Sequence, residues 1–361
     1  MRKKLFATLP LVALASTAFA QSSVNLYGNI DQGVTYINGD KNWSGLESGG
    51  NRDSFIGFRG TEDLGKGLKA QFTLESGILG DTGSGDSGNG LNFKRRATVG
   101  VLGNFGELNL GRDETTAYRS MKRYDVFNNA GIGGTKMWGP NNYANPTPGT
   151  PAFSYDARRK DNLIGYTSPS WSGFSVGANY GFGESSSDTW KTGAYAGVTA
   201  NYDNGAWSAT LAAEQQNGIT VPVGINTTAD MRERAYSAGV GYDFGPAKVA
   251  AAYRRSDLKN NAVGSLQGDT YTVGMAAPVG AAGVVKASYN RYDRETFGGA
   301  DAKADQLSVG YEHNLSKRTA MYGTYSYLKN KNGMGLSLND NVSADGKGKQ
   351  HGVQVGMRHS F

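Results

Sequence analysis

The residues of this chain whose types suit a chemical task are mostly arginines and carboxylates. Arg52, Arg95, Arg96, Arg112 and Arg159 are spread over its first half. The stretch between the last two packs Asp113, Glu114, Arg119, Lys122, Arg123 and Asp125 into thirteen residues, and Glu75 stands twenty residues ahead of Arg95. Both signs are present, so the groups suit an electrostatic task. Facing bands of opposite charge set up a transverse field that orders water and dipolar solutes. The parts for covalent chemistry do not occur. There is no Cys, hence no thiol nucleophile, thiolate metal site or disulfide. The three histidines, His313, His351 and His359, show no metal-ligand spacing on a common face, and there is no Gly-x-Ser-x-Gly elbow. An enzyme is not expected, and neither a cofactor nor a metal is called for.

The elements that position these charges follow from composition and pattern. Of 361 residues, 53 are Gly, 20 Tyr, 14 Phe and 5 Trp, while mean hydropathy is only −0.49. Nine prolines, without low-complexity blocks, argue against a disordered chain. Residues 1–20 read as a secretory signal peptide: Arg2, Lys3 and Lys4, an apolar run from Leu5 to Leu14, then Ala18-Phe19-Ala20. The run is too short to span a bilayer as a helix. Cleavage after Ala20 removes three cations and lowers the formal charge from +6 to +3, too little to suggest nucleic-acid binding. No later segment offers 18 consecutive apolar residues. An exported chain of this composition is either a secreted all-β protein or an outer-membrane barrel.

Period-2 alternation recurs along residues 21–361. Leu307, Val309 and Tyr311 alternate with Gln306, Ser308 and Gly310; Tyr236, Ala238 and Val240 alternate with Ser237, Gly239 and Gly241. Sixteen strands are expected, starting near residues 23, 51, 68, 93, 106, 162, 174, 194, 207, 234, 247, 269, 283, 303, 319 and 350. Tight turns such as Asp203-Asn-Gly205 and Asp243-Phe-Gly-Pro246 alternate with long connections near 38–50, 80–92, 113–161, 183–193, 217–233, 258–268, 294–302 and 330–349. Strict alternation of short and long is what an even-stranded up-and-down barrel requires, and a Greek-key sandwich does not keep it. Aromatic residues near strand ends, among them Tyr27, Tyr166, Tyr202, Phe244, Tyr289 and Tyr292, suit interfacial girdles. The chain stops mid-strand on Phe361, which is read as an assembly signal on the strand that closes the sheet. The expected fold is all-β, a 16-stranded antiparallel transmembrane β-barrel forming one domain over 21–361.

Several segments together resemble the trimeric general-diffusion porins of Gram-negative outer membranes, of the β-proteobacterial, anion-preferring type. They are Ser23-Val-Asn-Leu-Tyr-Gly28, Gly57-Phe-Arg-Gly-Thr-Glu-Asp-Leu-Gly65, Phe93-Lys-Arg-Arg96, Gly103-Asn-Phe-Gly-Glu107, Leu110-Gly-Arg-Asp113, Tyr124-Asp-Val-Phe127, Asn162-Leu-Ile-Gly-Tyr166 and Arg358-His-Ser-Phe361. The resemblance covers the whole chain. It implies a homotrimer in outer-membrane lipid, assembled by the barrel-assembly machinery, with a third loop folded into each pore. It also implies passive diffusion of small hydrophilic solutes and inorganic ions. A substrate-specific porin for a small anionic or sugar solute is the alternative.

Selectivity in such a channel comes from the width and charge of its narrowest ring. The 113–161 segment is the expected constriction loop, and Arg52, Arg95, Arg96, Arg112 and Arg159 are the basic candidates for the pore wall. Glu75, Asp113, Glu114 and Asp125 are placed opposite them. The family usually carries Ser-Arg before the Gly-Thr-Glu-Asp turn, and here the pair is Ser54-Phe55. Phe55 therefore replaces an expected arginine, and Arg52 is the nearest substitute. Counting from Val99 and Val101 as lipid-facing turns Arg96 inward and Arg95 outward. Either a bulge re-aims Arg95 or it lies above the lipid band.

Overall fold

The computed structural model describes residues 23–39, 41–86, 88, 90–138, 157–184, 192–224, 227–260, 264–295, 300–342 and 348–361. The expected signal peptide, 1–20, lies outside them. Among the described residues the strands are β1 (Ser23–Asn38), β2 (Trp43–Ser48), β3 (Phe55–Gly65), β4 (Leu68–Leu79), β5 (Ser84–Gly85), β6 (Arg96–Gly103), β7 (Gly106–Glu114), β8 (Arg159–Thr167) and β9 (Phe174–Gly181). They continue as β10 (Tyr195–Asn204), β11 (Trp207–Gly224), β12 (Thr227–Asp243), β13 (Lys248–Asn260), β14 (Gly264–Val279), β15 (Gly283–Arg294), β16 (Ala302–Asn314), β17 (Thr319–Lys331) and β18 (Lys349–Ser360). One helix, α1 (Thr116–Met121), follows β7.

Every ladder is antiparallel between chain neighbours, and β1 pairs with β18 from Asn29↔Ser360 to Asn38↔His351, so the sheet closes. β2 and β3 are two halves of one stave. β1 pairs with β3 through Ser23–Asn29 and with β2 through Gln32–Ile37, while residues 49–54 leave the ladder between them. β5 is a short ladder against the end of β4. Sixteen staves remain, as expected.

The two faces decide what surrounds the barrel. Val24, Leu26, Val34, Val309, Val353 and Val355 are exposed, whereas Asn29, Asp31, Thr35, Gln306, Ser308 and Ser326 are buried at 0–1% exposure. Apolar outside and polar inside inverts a soluble sandwich. A closed barrel pairs its backbone internally, so the apolar face can meet lipid. Aromatic rings pair at the short-turn end, Phe174 on Tyr202 and Trp207 on Tyr242, each with centroids 4.5 Å apart. Two of the expected girdle residues point inward instead: Tyr27 bonds Glu75, and Tyr292 is buried among loop residues. Gly205 and Gly245, with φ of +57° and +90°, supply the left-handed turn positions.

The strands are taller than the sequence pattern indicates. The expected long connections 217–233 and 258–268 are largely paired: the β11–β12 ladder continues to Gly224↔Thr227 and β13–β14 to Asn260↔Gly264. Within 38–50, β2 is also strand. Above the lipid band the outward face can be polar, so the apolar period fades while backbone pairing goes on.

The segment after β7 turns into the barrel. Thr115 caps α1, accepting the Tyr118 N–H at 3.2 Å. The chain then follows the inner wall in ring order as far as Gly131 and doubles back from there. Thr116 Oγ1 meets Thr199 Oγ1 of β10 at 2.9 Å, and Tyr124 Oη meets Thr210 Oγ1 of β11 at 3.0 Å. Gly131 lies so close to the Gly50 carbonyl and the Gln354 side chain of β18 that a Cβ there would collide with both. Gln306 of β16 donates to the Ile132 carbonyl at 2.9 Å, and the Lys136 N–H donates to Tyr292 Oη of β15 at 2.8 Å. Inward glycines make the room. A Cβ at Gly239 would collide with the Tyr124 ring, and one at Gly310 would stand 2.8 Å from Phe127 and one at Gly352 3.1 Å from Ile132. Part of the glycine excess is therefore a seat for this loop.

Candidate functional site inside the barrel

Most of the expected site residues converge on the inner face of β3–β8 beside α1. Arg95 is the hub. Its Nη1 lies 2.7 Å from Asp53 Oδ2 and its Nε 3.0 Å from Glu75 Oε2, while its guanidinium lies 4.6 Å from the Phe55 ring centroid. Tyr27 donates to the other Glu75 oxygen at 2.7 Å and sets its ring edge against Phe55 at 5.7 Å. Phe55 thus faces the lumen and stacks under an arginine at the position where one was expected.

Arg96 opposes Glu75 in the β4–β6 register and reaches Asp113 Oδ1 at 3.2 Å. The β6 ladder begins at Arg96, so strand alternation does not govern Arg95. No bulge in β6 is needed, and both arginines reach lumen carboxylates. Arg119 Nη2 lies 2.5 Å from the second Asp113 oxygen, and Lys122 Nζ lies 2.7 Å from Glu114 Oε2. Arg159 completes the cluster at 3.9 Å from both Asp53 and Glu114. Burial works against the Arg119 charge, but Asp113 outweighs it and holds the guanidinium protonated above its ordinary range.

The remaining candidates stand elsewhere. Arg112 shares the outward parity of exposed Leu110 and pairs with Asp161 at 2.7 Å, so it is not brought to this cluster. Arg123 reaches toward the short-turn end, 2.7 Å from Asp203. Asp125 spends its carboxylate on the loop, accepting the N–H groups of Phe127, Asn129 and Thr135 at 2.8–2.9 Å. Burial pushes its carboxyl upward despite those donors. Burial likewise pushes the Lys136 ammonium down, against the pull of Asp340 and Glu47. Arg52 lies in the β2–β3 break, where its N–H donates to Asp31 at 2.7 Å. Residues 139–156 of the expected constriction loop lie outside the described residues.

A second charged group was missed by the sequence reading. Glu312 Oε2 lies 2.9 Å from Lys286 Nζ, its other oxygen lies 2.7 Å from Arg358 Nη2, and Asn51 donates to it at 3.0 Å. The alternation of β16 already turns Glu312 inward, so that signal was present. Asp53, in the strand break, carried none.

A profile of the family described as Gram-negative porin matches residues 7–333. The chain is 40% identical to outer membrane porin protein 32 of Delftia acidovorans over the full length of both. The chain belongs to the Gram-negative porin family. A porin of Bordetella pertussis is 32% identical, again over both full chains. Among solved structures, the anion-selective porin from Comamonas acidovorans superposes with a TM-score of 0.82 at 38% identity, covering 94% of this chain and 100% of its own. OmpT of Vibrio cholerae, at 18% identity and a TM-score of 0.69, shares the fold. This porin therefore resides in the outer membrane, its staves crossing the lipid and its charged cluster facing the lumen.

Proposed function

We propose that the porin forms a water-filled channel for passive diffusion of small hydrophilic solutes and inorganic ions, with a weak preference for anions. The observation that carries this is the balance of the lumen cluster beside α1. Arg95, Arg96, Arg119, Lys122 and Arg159 face Asp53, Glu75, Asp113 and Glu114, five cations against four carboxylates. Around Glu312 the basic excess repeats with Lys286 and Arg358. A margin this small biases ion passage and does not filter absolutely. Exposed pore charges are screened within about 8–10 Å at physiological salt. In this reading Arg52, Phe55 and the cluster line the constriction formed by the 113–161 loop. The anion selectivity of the Comamonas relative agrees with that sign.

The test is a planar bilayer with a salt gradient. The expected result is a reversal potential of anion-selective sign worth a few-fold in permeability; a cation-selective sign would overturn it, and absence of conductance from folded protein would sink the channel itself.

We extend the reading to assembly. The channel works as a homotrimer in outer-membrane lipid, and OmpT of Vibrio cholerae has likewise been solved in a trimer form. Residues 1–20 are removed on export, so the mature chain begins at Gln21. Phe361 exchanges backbone hydrogen bonds with Gly28 at 3.1 and 3.2 Å and lays its ring over that glycine, which suits a signal read by the barrel-assembly machinery as the sheet closes. Three equal closure steps in a bilayer and an N-terminal Gln21 are the results expected.

A further inference from the structure

Residues 49–54, between β2 and β3, leave the ladder and yet stay tied to the wall. Asp31 of β1 holds them. Its side chain is buried at 0% exposure, and one carboxylate oxygen accepts the N–H groups of Asn51 and Arg52 at 2.8 and 2.7 Å. Its backbone takes part as well. The Asp31 carbonyl accepts the Gly49 N–H at 3.0 Å, and the Asp31 N–H donates to Ser54 Oγ at 2.9 Å. Both ends of the break and its middle are fastened to one residue.

The other Asp31 oxygen is taken by Tyr322 of β17, whose hydroxyl donates at 2.6 Å. The tyrosine reaches it along the wall. Tyr322 stands opposite Gly356 of β18, and Gly356 stands opposite Gly33 of β1. A Cβ at Gly356, or at Gly50 in the break itself, would collide with the hydroxyl, and one at Gly33 would stand 2.8 Å from it. This row is cleared for a ring that crosses β18 to reach β1, and Tyr322 is only 4% exposed. A carboxylate so deeply buried needs strong donors. Here they are two backbone N–H groups and a phenol, not an arginine or lysine, so the charge serves to hold backbone.

The break carries groups that meet both walls and the loop. Asp53 lies 2.7 Å from Arg95, and Asn51 donates to Glu312 at 3.0 Å. The Asn51 carbonyl accepts from Asn128 of the loop at 3.4 Å, and Gly131 presses on the Gly50 carbonyl. We propose that Asp31 and Tyr322 are positioning residues of the constriction: together they hold residues 49–54 as a bracket that sets Asp53 against Arg95 and backs the loop at Asn128 and Gly131. Both act through the bracket, since neither is exposed to a passing ion. Loss of one hydrogen bond to a charged group should raise the population of the released bracket by about tenfold.

The test has two readouts on the full folded porin. The chain has no Cys, so Ser54→Cys supplies a single thiol at a site that is 5% exposed. Adding Tyr322→Phe should speed alkylation of that thiol by a maleimide about tenfold. In a planar bilayer, Tyr322→Phe alone, which changes no charge, should raise the variance of the open-channel current about tenfold. Tyr311→Phe, at an exposed tyrosine of β16, should change neither. Asp31→Asn should act as Tyr322→Phe does, and it takes its place if Tyr322→Phe does not fold. The current trace rests on the channel reading and the alkylation does not. Faster alkylation without any conductance would therefore sink the channel and keep the bracket. Equal alkylation with and without Tyr322→Phe, or a barrel that unfolds at lower temperature with an unchanged current trace, would overturn the proposal.

Discussion

The inner face of β14–β18 and the inner face of β3–β8 meet the same loop with different chemistry. On β14–β18 the contacts are mostly neutral: Gln306 on the Ile132 carbonyl, Thr272 near Thr135, Tyr292 on the Lys136 N–H, and glycines where Phe127 and Ile132 press in. On β3–β8 the contacts are ionic, with Arg119 and Lys122 of the loop held by Asp113 and Glu114 at the end of β7. Neutral hydrogen bonds and close packing fix position with little dependence on salt. Ion pairs beside water fix position weakly but shape the field. One wall therefore sets where the loop lies, and the other sets which ions pass it easily.

The largest effect should come from spoiling the seat. Gly310→Leu drives a side chain into Phe127, an overpacking of about 1–3 kcal/mol, and the loop should leave the wall. Single-channel conductance should rise by half or more, without a change in the sign of selectivity. Gly323→Ala, whose Cβ would meet nothing nearer than 4.0 Å, should leave conductance as it was. If both variants behave alike, the seat does not hold the loop.

Next comes Asp125→Ala, which strands three loop N–H donors at a buried site. At about 1–3 kcal/mol for an unsatisfied buried group, the loop should loosen and channel noise should grow. Quiet single-channel traces would show that the wall contacts suffice without it.

Charge changes on the other wall should alter selectivity and leave conductance nearly constant. Arg95→Gln leaves Asp53 and Glu75 without their shared cation, and the reversal potential should shift a few-fold toward cations. The smallest effect is expected from Phe55→Arg, which adds a cation beside Arg95 near the same two carboxylates. It should raise anion preference modestly, and no rise would mean that position 55 lies outside the ion path. Both shifts should shrink in about 1 M salt, where the Debye length is about 3 Å.

How much of this was legible in the sequence depends on whether the signal is local. Strand number and the apolar outer face are local, and both survive in the structure, whereas two of the expected long connections, 217–233 and 258–268, are largely ladder. Arg95 and Arg96 could not be ordered by alternation because the rule holds only inside a ladder, and β6 starts between them. Tyr27 and Tyr292 look like girdle residues in sequence, yet their inward parity gives them lumen partners, Glu75 and the loop. Arg112 resembles its neighbours in type, and one residue of parity sends it outward.

The sequence by itself determined a closed sixteen-stave barrel, because period-2 hydrophobicity and turn residues are written in neighbouring positions. Only the tertiary structure decided which charges meet. Asp53 and Arg95 are forty-two residues apart, and Asn51 and Glu312 are 261 apart. Ring closure and a break in one stave bring them together, and no local pattern in the chain encodes either distance.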